Sequence, residues 1–158
     1  MQFKLDGSQY NGSLCRLNAQ QVGVMWYNYT DDVNASDENG QYFVPIDLET
    51  KDWGEKVKLP SNVGSILPGD DAYDFYYTYN NNIYGYAAKT DTKEKLVDWL
   101  ACDVDTNNMS GYAMLSDSRV AALMQDWSTD PTTYQLIVLH RVDASEIKEK
   151  KVLTLACM

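Results

Sequence analysis

The chain has 158 residues and a mass of 17.9 kDa, which suits one domain, and its 44% hydrophobic and 23% charged residues exclude a disordered or fibrous protein. Its 23 acidic and 13 basic residues give a net charge of -10, which disfavours direct binding to nucleic acid or to an anionic membrane. No apolar run approaches the roughly 20 residues of a membrane-spanning helix. The opening MQFKLDGSQYNG lacks the features of a secretion signal, so we expect a cytoplasmic protein.

Strand patterns dominate the first part of the chain. Phe3 and Leu5 alternate ahead of the turn pair Asp6-Gly7, and the pair Asn11-Gly12 follows closely, which predicts a short hairpin or meander. Residues 22–29 (VGVMWYNY), rich in β-branched and aromatic side chains, predict a strand, and residues 41–48 predict its return strand. Because Pro45 cannot donate to a ladder, we expect the return strand at a sheet edge or with a bulge. Residues 53–70 predict a loop with at most one short strand.

Acidic residues concentrate in two stretches that contain no Lys or Arg, one between Arg16 and Lys51 and the other from Pro60 to Ala88. The candidate partner-binding acids are Asp31, Asp32, Asp37 and Glu38 in the first stretch and Asp70, Asp71 and Asp74 in the second. These residues form either a solvated surface that keeps the protein soluble or an electronegative face that binds a basic protein.

Residues 73–88 (YDFYYTYNNNIYGYAA) are the most distinctive segment. Aromatic residues alternate on both sides of three asparagines, which tolerate left-handed backbone angles, so the pattern predicts a hairpin. Alternation places Tyr76 opposite Tyr77, so we expect part of this hairpin to lie outside the core. The tyrosines either stabilise the hairpin as cross-strand pairs or form a protein-contact surface. The candidates for that surface are Tyr76, Tyr84 and Tyr86.

Two helices are predicted next. Asp91 and Glu94 have the spacing of a capping box, and an apolar stripe follows them to about Cys102. The second helix begins at a cap of Ser116 or Asp117 and ends at Asp130-Pro131, and apolar residues recur within it at i, i+3, i+4 and i+7.

The connection between these helices resembles part of a calcium-binding loop. Asp103, Asp105 and Asn107 stand at positions 1, 3 and 5 of such a loop. The pattern breaks at Asn108, where the sharp turn needs Gly, and at Met114, where a bidentate Glu is required. We interpret the segment as a polar connection, with a weak cation site as the alternative.

Two strands close the chain. Residues 134–142 are apolar on both faces and predict a central strand, and residues 152–158 predict its partner across a charged connection. The order of strands, two helices and strands predicts an α+β fold. We expect a single domain over residues 1–158, with a mainly antiparallel sheet and two consecutive helices packed on one face.

Residues that carry catalysis are scarce in this sequence. His140 is the only histidine, and Cys15, Cys102 and Cys157 are far apart with no C-x-x-C pair. No nucleotide-binding loop, nucleophile elbow or metalloprotease motif is present. We therefore expect no catalytic residue, no metal and no cofactor, and we expect the cysteines to be buried reduced thiols.

The predicted function is that of a non-catalytic acidic protein-interaction module. Its partner is a protein with a basic or polar surface, or a second copy of the same chain. Such a module can act as a small inhibitor that masks a basic, nucleic-acid-binding surface. The alternatives are a structural or accessory subunit of an assembly such as a phage virion, and a carboxylate-dependent enzyme.

Overall fold

A computed structural model of the chain describes residues 8–31, 39–115, 119–130, 132–141 and 143–155. Within these residues the chain forms twelve β-strands and, apart from 3-10 turns at Ala88–Thr90 and Thr106–Asn108, no helix. The strands make three antiparallel sheets of four strands each. The prediction of an α+β fold with two packed helices is therefore wrong, because the fold is nearly all β.

The first sheet has the order β1-β2-β3-β4. Its strands are β1 (Ser8–Arg16), β2 (Gln21–Tyr29), β3 (Gly40–Asp47) and β4 (Val57–Leu59). β2 and β3 confirm the two strands predicted in this region. The predicted Asn-Gly turn is wrong, since Asn11 and Gly12 lie within β1, where the register with β2 shifts between Tyr10 and Ser13. The Asp-Gly turn lies outside the described residues.

Pro45 lies in β3, which is an inner strand, so of the two expectations for this proline, an edge strand or a bulge, the edge strand is wrong. The pairing of β4 with β3 covers only residues 41–43. On that side the carbonyl of Pro45 accepts a hydrogen bond from the N–H of Gly54 at 2.8 Å. Because the N–H and C=O of one strand residue point to the same side, the missing donor of Pro45 faces away from β2 and weakens no bond to it.

The second sheet has the order β5-β6-β7-β8. Its strands are β5 (Ile66–Pro68), β6 (Phe75–Tyr79), β7 (Asn82–Ala87) and β8 (Thr92–Val97). β6 and β7 confirm the tyrosine hairpin, and its turn residues Asn80 and Asn81 have φ of 48° and 60°, in the left-handed region. Both β4 and β5 lie in the segment that was expected to hold at most one strand.

An aromatic core lies between the first sheet and the hairpin. It buries Leu17, Met25, Phe43, Val57, Leu59, Val63, Phe75, Tyr77 and Tyr86. The rings of Phe43 on β3 and Phe75 on β6 join the two sheets, with centroids 4.2 Å apart. The same alternation that predicted strands therefore supplies the residues of this core.

The first predicted helix is absent, and its residues form a turn and β8. Asp91 has φ 48°, a left-handed conformation, whereas a helix N-cap residue is extended. Glu94 accepts a hydrogen bond from the Tyr73 hydroxyl at 2.7 Å and closes no capping box. The capping-box spacing is misleading here because Glu94 bonds to the distant Tyr73 and Asp91 accepts from the Tyr86 hydroxyl, so neither side chain caps a helix.

The second predicted helix is also absent, and its residues form an inner strand of the third sheet. This sheet has the order β12-β11-β10-β9. Its strands are β9 (Met109–Met114), β10 (Arg119–Asp126), β11 (Thr133–Arg141) and β12 (Ile147–Leu155). Val120 and Ala122 are fully buried on one face of β10. Because β10 is apolar on both faces, its sequence also fits a helical stripe.

β11 and β12 confirm the two closing strands and their antiparallel pairing. β12 begins at Ile147, within the segment that was predicted to be a charged connection.

The chain packs into two compact units. One comprises Met1–Asn80 and Tyr84–Glu94, and the other comprises Asn81–Ile83 and Lys95–Met158. In the second unit, Lys150 Nζ donates to the carbonyl of Asp103 at 2.7 Å and so fastens the turn after β8 to β12. None of the described segments forms a helix that could cross a membrane.

Candidate functional site

The structure gives positions for four of the seven acids that the sequence nominated. Asp32, Asp37 and Glu38 lie outside the described residues. Asp31 is exposed just after β2, and Asp70, Asp71 and Asp74 are exposed in the segment that leads into β6. The structure thus brings Asp70, Asp71 and Asp74 to the tyrosine hairpin.

The nominated tyrosines lie largely inside the first unit. Tyr76 and Tyr86 are each only 3% exposed. Tyr84 is half-buried and stacks on Tyr77, with ring centroids 5.4 Å apart. Both faces of β6 are covered, since Tyr76 and Tyr77 are both buried. Alternation therefore assigned these rings to the correct faces but did not show that both faces are buried.

Asp70 is held by the hairpin and by its own turn. Tyr76 Oη donates a hydrogen bond to Asp70 Oδ2. Asp70 Oδ1 accepts from the N–H of Ala72 at 2.8 Å and from that of Tyr73 at 3.2 Å. Partial burial raises the pKa of Asp70, but these hydrogen bonds outweigh it and hold the pKa below its usual value.

Two further tyrosine–carboxylate pairs lie nearby. Tyr86 Oη donates to Asp91 Oδ1 at 3.2 Å, and Tyr73 Oη donates to Glu94 Oε2 at 2.7 Å. The pKa of Tyr86 is raised to about 12, first by burial, then by Asp91, and further by the charges of Glu55 and Asp74. Three carboxylates, those of Asp91, Glu55 and Asp74, thus act on the hydroxyl of the buried Tyr86, and Glu94 accepts from the partly buried Tyr73.

A small cavity of about 90 Å³ opens beside Tyr86 in the first unit. The residues that line it, called the acidic cavity below, are Leu17, Gln21, Pro45, Glu55, Val57, Asp74, Phe75, Tyr86 and Ala88. Leu17, Val57 and Phe75 are buried and form an apolar floor, whereas Glu55 and Asp74 are exposed. The cavity therefore combines an apolar interior with two carboxylates open to solvent.

Backbone contacts fix one of these carboxylates in place. Asp74 Oδ2 accepts a hydrogen bond from the N–H of Ala88 at 2.7 Å, and the N–H of Asp74 donates to the carbonyl of Tyr86 at 2.9 Å. Lys93 lies 3.8 Å from Asp91 and pairs with it. Within the described residues, Glu55 and Asp74 make no ion pair. Their charges are available to a ligand.

The sequence nominated Asp74 and Tyr86 for this region but missed Glu55, Asp91 and Glu94. Glu55 stands in a segment that was interpreted as a loop, and Asp91 and Glu94 were assigned to a helix cap. The signal in the sequence for these residues was a strand rich in tyrosine beside several acids. Such a pattern is consistent with hydroxyl–carboxylate hydrogen bonds, because buried tyrosines need a partner for the hydroxyl group.

The segment with the partial calcium pattern is a turn, not a connection between helices. Asp103 has φ 55°, and its carboxylate lies 3.7 Å from Lys150 Nζ. Asp105 Oδ1 accepts from the N–H of Asn107 at 3.0 Å and caps the 3-10 turn. No group of three or more potential metal ligands occurs within the described parts of the chain.

Neither His140 nor Cys15 nor Cys102 lines the acidic cavity. His140 is half-buried on β11, where it faces Arg119 on β10 and Glu149 on β12. Burial raises the pKa of both Cys15 and Cys102, so both thiols stay protonated and unreactive at neutral pH. Cys157 lies outside the described residues.

Comparison with known proteins finds no matching family model, no similar curated protein and no similar solved structure. Function must therefore be argued from the geometry of the site. In the acidic cavity, two carboxylates that make no ion pair within the described residues lie beside an apolar recess.

Proposed function

We propose that this protein is a non-catalytic binding module that holds a basic side chain of a partner protein in the acidic cavity. The observation that supports it is the pair of exposed carboxylates, Glu55 and Asp74, beside the buried floor of Leu17, Val57 and Phe75. Arg and Lys join a cationic head to an apolar stem, so one such side chain complements both parts of the cavity.

The charge of the whole chain supports the same kind of partner. A net charge of -10 attracts a basic surface over several ångströms and raises the rate of encounter. The acidic cavity then supplies a specific contact that charge alone does not give. In this role the protein is a small inhibitor that masks a basic, nucleic-acid-binding surface.

An assembly subunit, such as a virion component, is the second candidate that the sequence left open, and no contact described above favours it over the inhibitor. The cytoplasmic location expected from the sequence is part of the proposal. Cell fractionation followed by detection of the full chain tests that location directly.

The binding proposal is tested by calorimetric titration with a short peptide that carries one arginine among neutral residues. We expect the protein to bind this peptide, and a matched peptide with norleucine in place of arginine to bind far more weakly. Binding should weaken as salt is added, because the contact is between partly exposed charges.

Charge-neutral variants locate the contact. Glu55→Gln combined with Asp74→Asn should weaken binding about tenfold, since it removes both charges and keeps the acceptor for Ala88. The control is Glu49→Gln with Asp52→Asn, which removes two exposed charges that do not line the cavity. Equal losses in both double variants, or no binding by the unaltered protein, would overturn the proposal.

A further inference from the structure

The third sheet ends in β12, an edge strand. In the part of the chain that the structure describes, β12 pairs with β11 alone. This pairing is regular along residues 149–155, because its register shift lies at the end where His140 and Arg141 pair. The outer side of an edge strand presents a row of N–H and C=O groups to which a further strand can be added. β12 therefore offers a regular stretch of backbone for such pairing.

A buried apolar row of the third sheet ends at an exposed residue of β12. In this row Ala122 pairs with Ile137, and Ile137 pairs with Val152. Ala122 is 0% and Ile137 7% exposed, whereas Val152 is 48% exposed. On the opposite face of the strand, Leu153 is 55% exposed. A strand added at β12 would continue the row and would remove both residues from water, which is favourable.

The charged half of β12 restricts which strand can be added. It contains Lys148, Glu149, Lys150 and Lys151. Lys150 Nζ donates to the carbonyl of Asp103 at 2.7 Å and lies 3.7 Å from its carboxylate, and Lys151 Nζ lies 3.2 Å from Glu149 Oε1. Lysines on an edge strand oppose pairing with most other strands. The partner strand must therefore keep its own positive charges away from this half of β12.

A second copy of β12 meets this requirement when the two strands run antiparallel about a two-fold axis at Val152. The N–H and C=O of one residue point to the same side of a strand, so outward-facing residues must oppose outward-facing residues, and this axis allows that. It places Val152 opposite Val152 of the second copy, and Lys151 opposite Leu153. The aliphatic stem of Lys151 can then cover Leu153 while its ammonium group stays in water.

Other positions of the axis fit less well. An axis at Lys151 or at Lys150 would set each lysine directly opposite the same lysine of the second copy, which is destabilising. An axis at Leu153 would leave Glu149 and Lys150 opposite residues beyond the end of β12. The axis at Val152 opposes no like charges and uses all of the regular stretch, residues 149–155.

We propose that two copies of this chain associate through β12, antiparallel about a two-fold axis at Val152, so that their third sheets form one continuous sheet. Backbone hydrogen bonds between the two copies of β12 hold the dimer, and the paired valines extend the apolar row across it. One strand pair buries less surface than the roughly 1,200–2,000 Å² of a stable complex, so the dimer is reversible. The interface is independent of the acidic cavity and of the function proposed there.

Analytical ultracentrifugation of the full chain over a range of concentrations tests the dimer. We expect a reversible change from monomer to dimer as the concentration rises. A chain that remains monomeric up to about 1 mM would overturn the proposal, because association weaker than that is worth no more than about 4 kcal/mol. Species larger than a dimer would also overturn it, since pairing of β12 with its own copy closes after two chains.

Charge variants at the axis locate the contact. Val152→Lys and Val152→Glu each set two like charges opposite one another, so each variant alone should dimerise at least about tenfold more weakly. An equal mixture of the two should recover the dimer as a heterodimer, which also shows that both variants fold. The control variants, Leu14→Lys and Leu14→Glu, change a 75% exposed residue on β1, an edge strand of the first sheet. Equal losses in the control variants, or a mixture that stays monomeric, would contradict pairing at Val152.

Amide hydrogen exchange of the unaltered chain tests the strand pairing without any substitution. Alternate amides of residues 149–155 should exchange more slowly in concentrated than in dilute protein, because the dimer pairs the outward N–H groups. The amides of β9, at the other edge of the third sheet, should not change. Slowing at β9 in place of β12 would contradict the proposal. Val152→Lys should leave binding of the arginine peptide unchanged, which keeps failure at this interface distinct from failure at the acidic cavity.

Discussion

Tyrosine in the first unit contributes both a buried ring and a hydroxyl that reaches the protein surface. Three hydroxyls donate to carboxylates, from Tyr73 to Glu94, from Tyr76 to Asp70 and from Tyr86 to Asp91. A phenylalanine would fill the core equally well but would leave each carboxylate without this donor. The acids of this region therefore divide into those that hold the hairpin and those, Glu55 and Asp74, that face the acidic cavity.

Removal of the hydrogen bond from Tyr76 to Asp70 should destabilise the protein by an amount that depends on pH. Tyr76→Phe should lower the free energy of unfolding at neutral pH by about 1 kcal/mol, because it removes a hydrogen bond to a charged group that water partly screens. Folding lowers the pKa of Asp70, so its ionised form stabilises the fold above the ordinary carboxyl pKa. This contribution to the free energy of unfolding is lost as the pH falls through the lowered pKa of Asp70. Denaturant unfolding of the unaltered protein and of Tyr76→Phe, at neutral and at acidic pH, measures the loss of stability at each pH.

Tyr84→Phe is the matched control for Tyr76→Phe. Tyr84 packs its ring on Tyr77 in the same hairpin, but the tyrosine hydroxyl that donates to Asp70 is that of Tyr76. The Tyr84→Phe substitution should change the free energy of unfolding little, and by the same amount at both pH values. If Tyr76→Phe destabilises by the same amount at both pH values, the link to the Asp70 carboxylate is absent.

Sequence patterns identified some residues of the candidate site and missed others, because those others depend on contacts between distant parts of the chain. Composition singled out Asp74 and Tyr86, which do line the acidic cavity. Glu55 joins them only through folding of a long segment, which no local pattern encodes. Burial of Tyr76 depends on what covers the second face of β6, and alternation carries no information about that.

The position of β7 depends on the close approach of its glycine, Gly85, to the aromatic ring of Tyr73. Gly85 on β7 lies beneath the ring of Tyr73, where an added Cβ would be 2.4 Å from the nearest ring carbon. The ring can lie there only because glycine has no side chain. This contact places the Tyr73 hydroxyl at Glu94 and so supports the turn between β7 and β8.

Substitution of two glycines tests this contact. Gly85→Ala should destabilise the protein by about 1–3 kcal/mol, because the added methyl group must displace the Tyr73 ring. Gly111→Ala on β9 should be neutral or slightly stabilising, since no atom lies within 4 Å of its added Cβ. Thermal unfolding of both variants measures the difference. Equal stability of the two variants would contradict the close approach at Gly85.

The elements that the sequence predicted wrongly share a physical cause. Strands β2, β3, β6, β7, β11 and β12 were predictable because alternation and turn residues are local signals. The capping residues before β8 and the apolar spacing of β10 fit a helix as well as a strand, so the sequence predicts helices at both places. Pairing between β9, β10 and β11 decided the outcome for β10. Such pairing joins distant residues and overrides local preference.

At the scale of the whole molecule, two compact units carry different surface chemistry. The first unit contains the acidic cavity, and the second contains a groove lined by Arg119, Val138, His140, Glu149 and Lys151. Net charge predicted an acidic protein with a basic partner, but it did not predict that Arg119, His140 and Lys151 would line one groove of the third sheet. The distribution of charge over folded strands therefore carries more functional information than the sum.

The central claim is that a basic side chain enters the acidic cavity, and amide chemical-shift mapping of the isotope-labelled full chain tests it most directly. On addition of the arginine peptide, we predict the largest shifts at Glu55, Asp74 and Ala88, with little change at Asp31 and Glu49. Shifts spread evenly over all exposed acids, or confined to the strands of the third sheet, would contradict the claim.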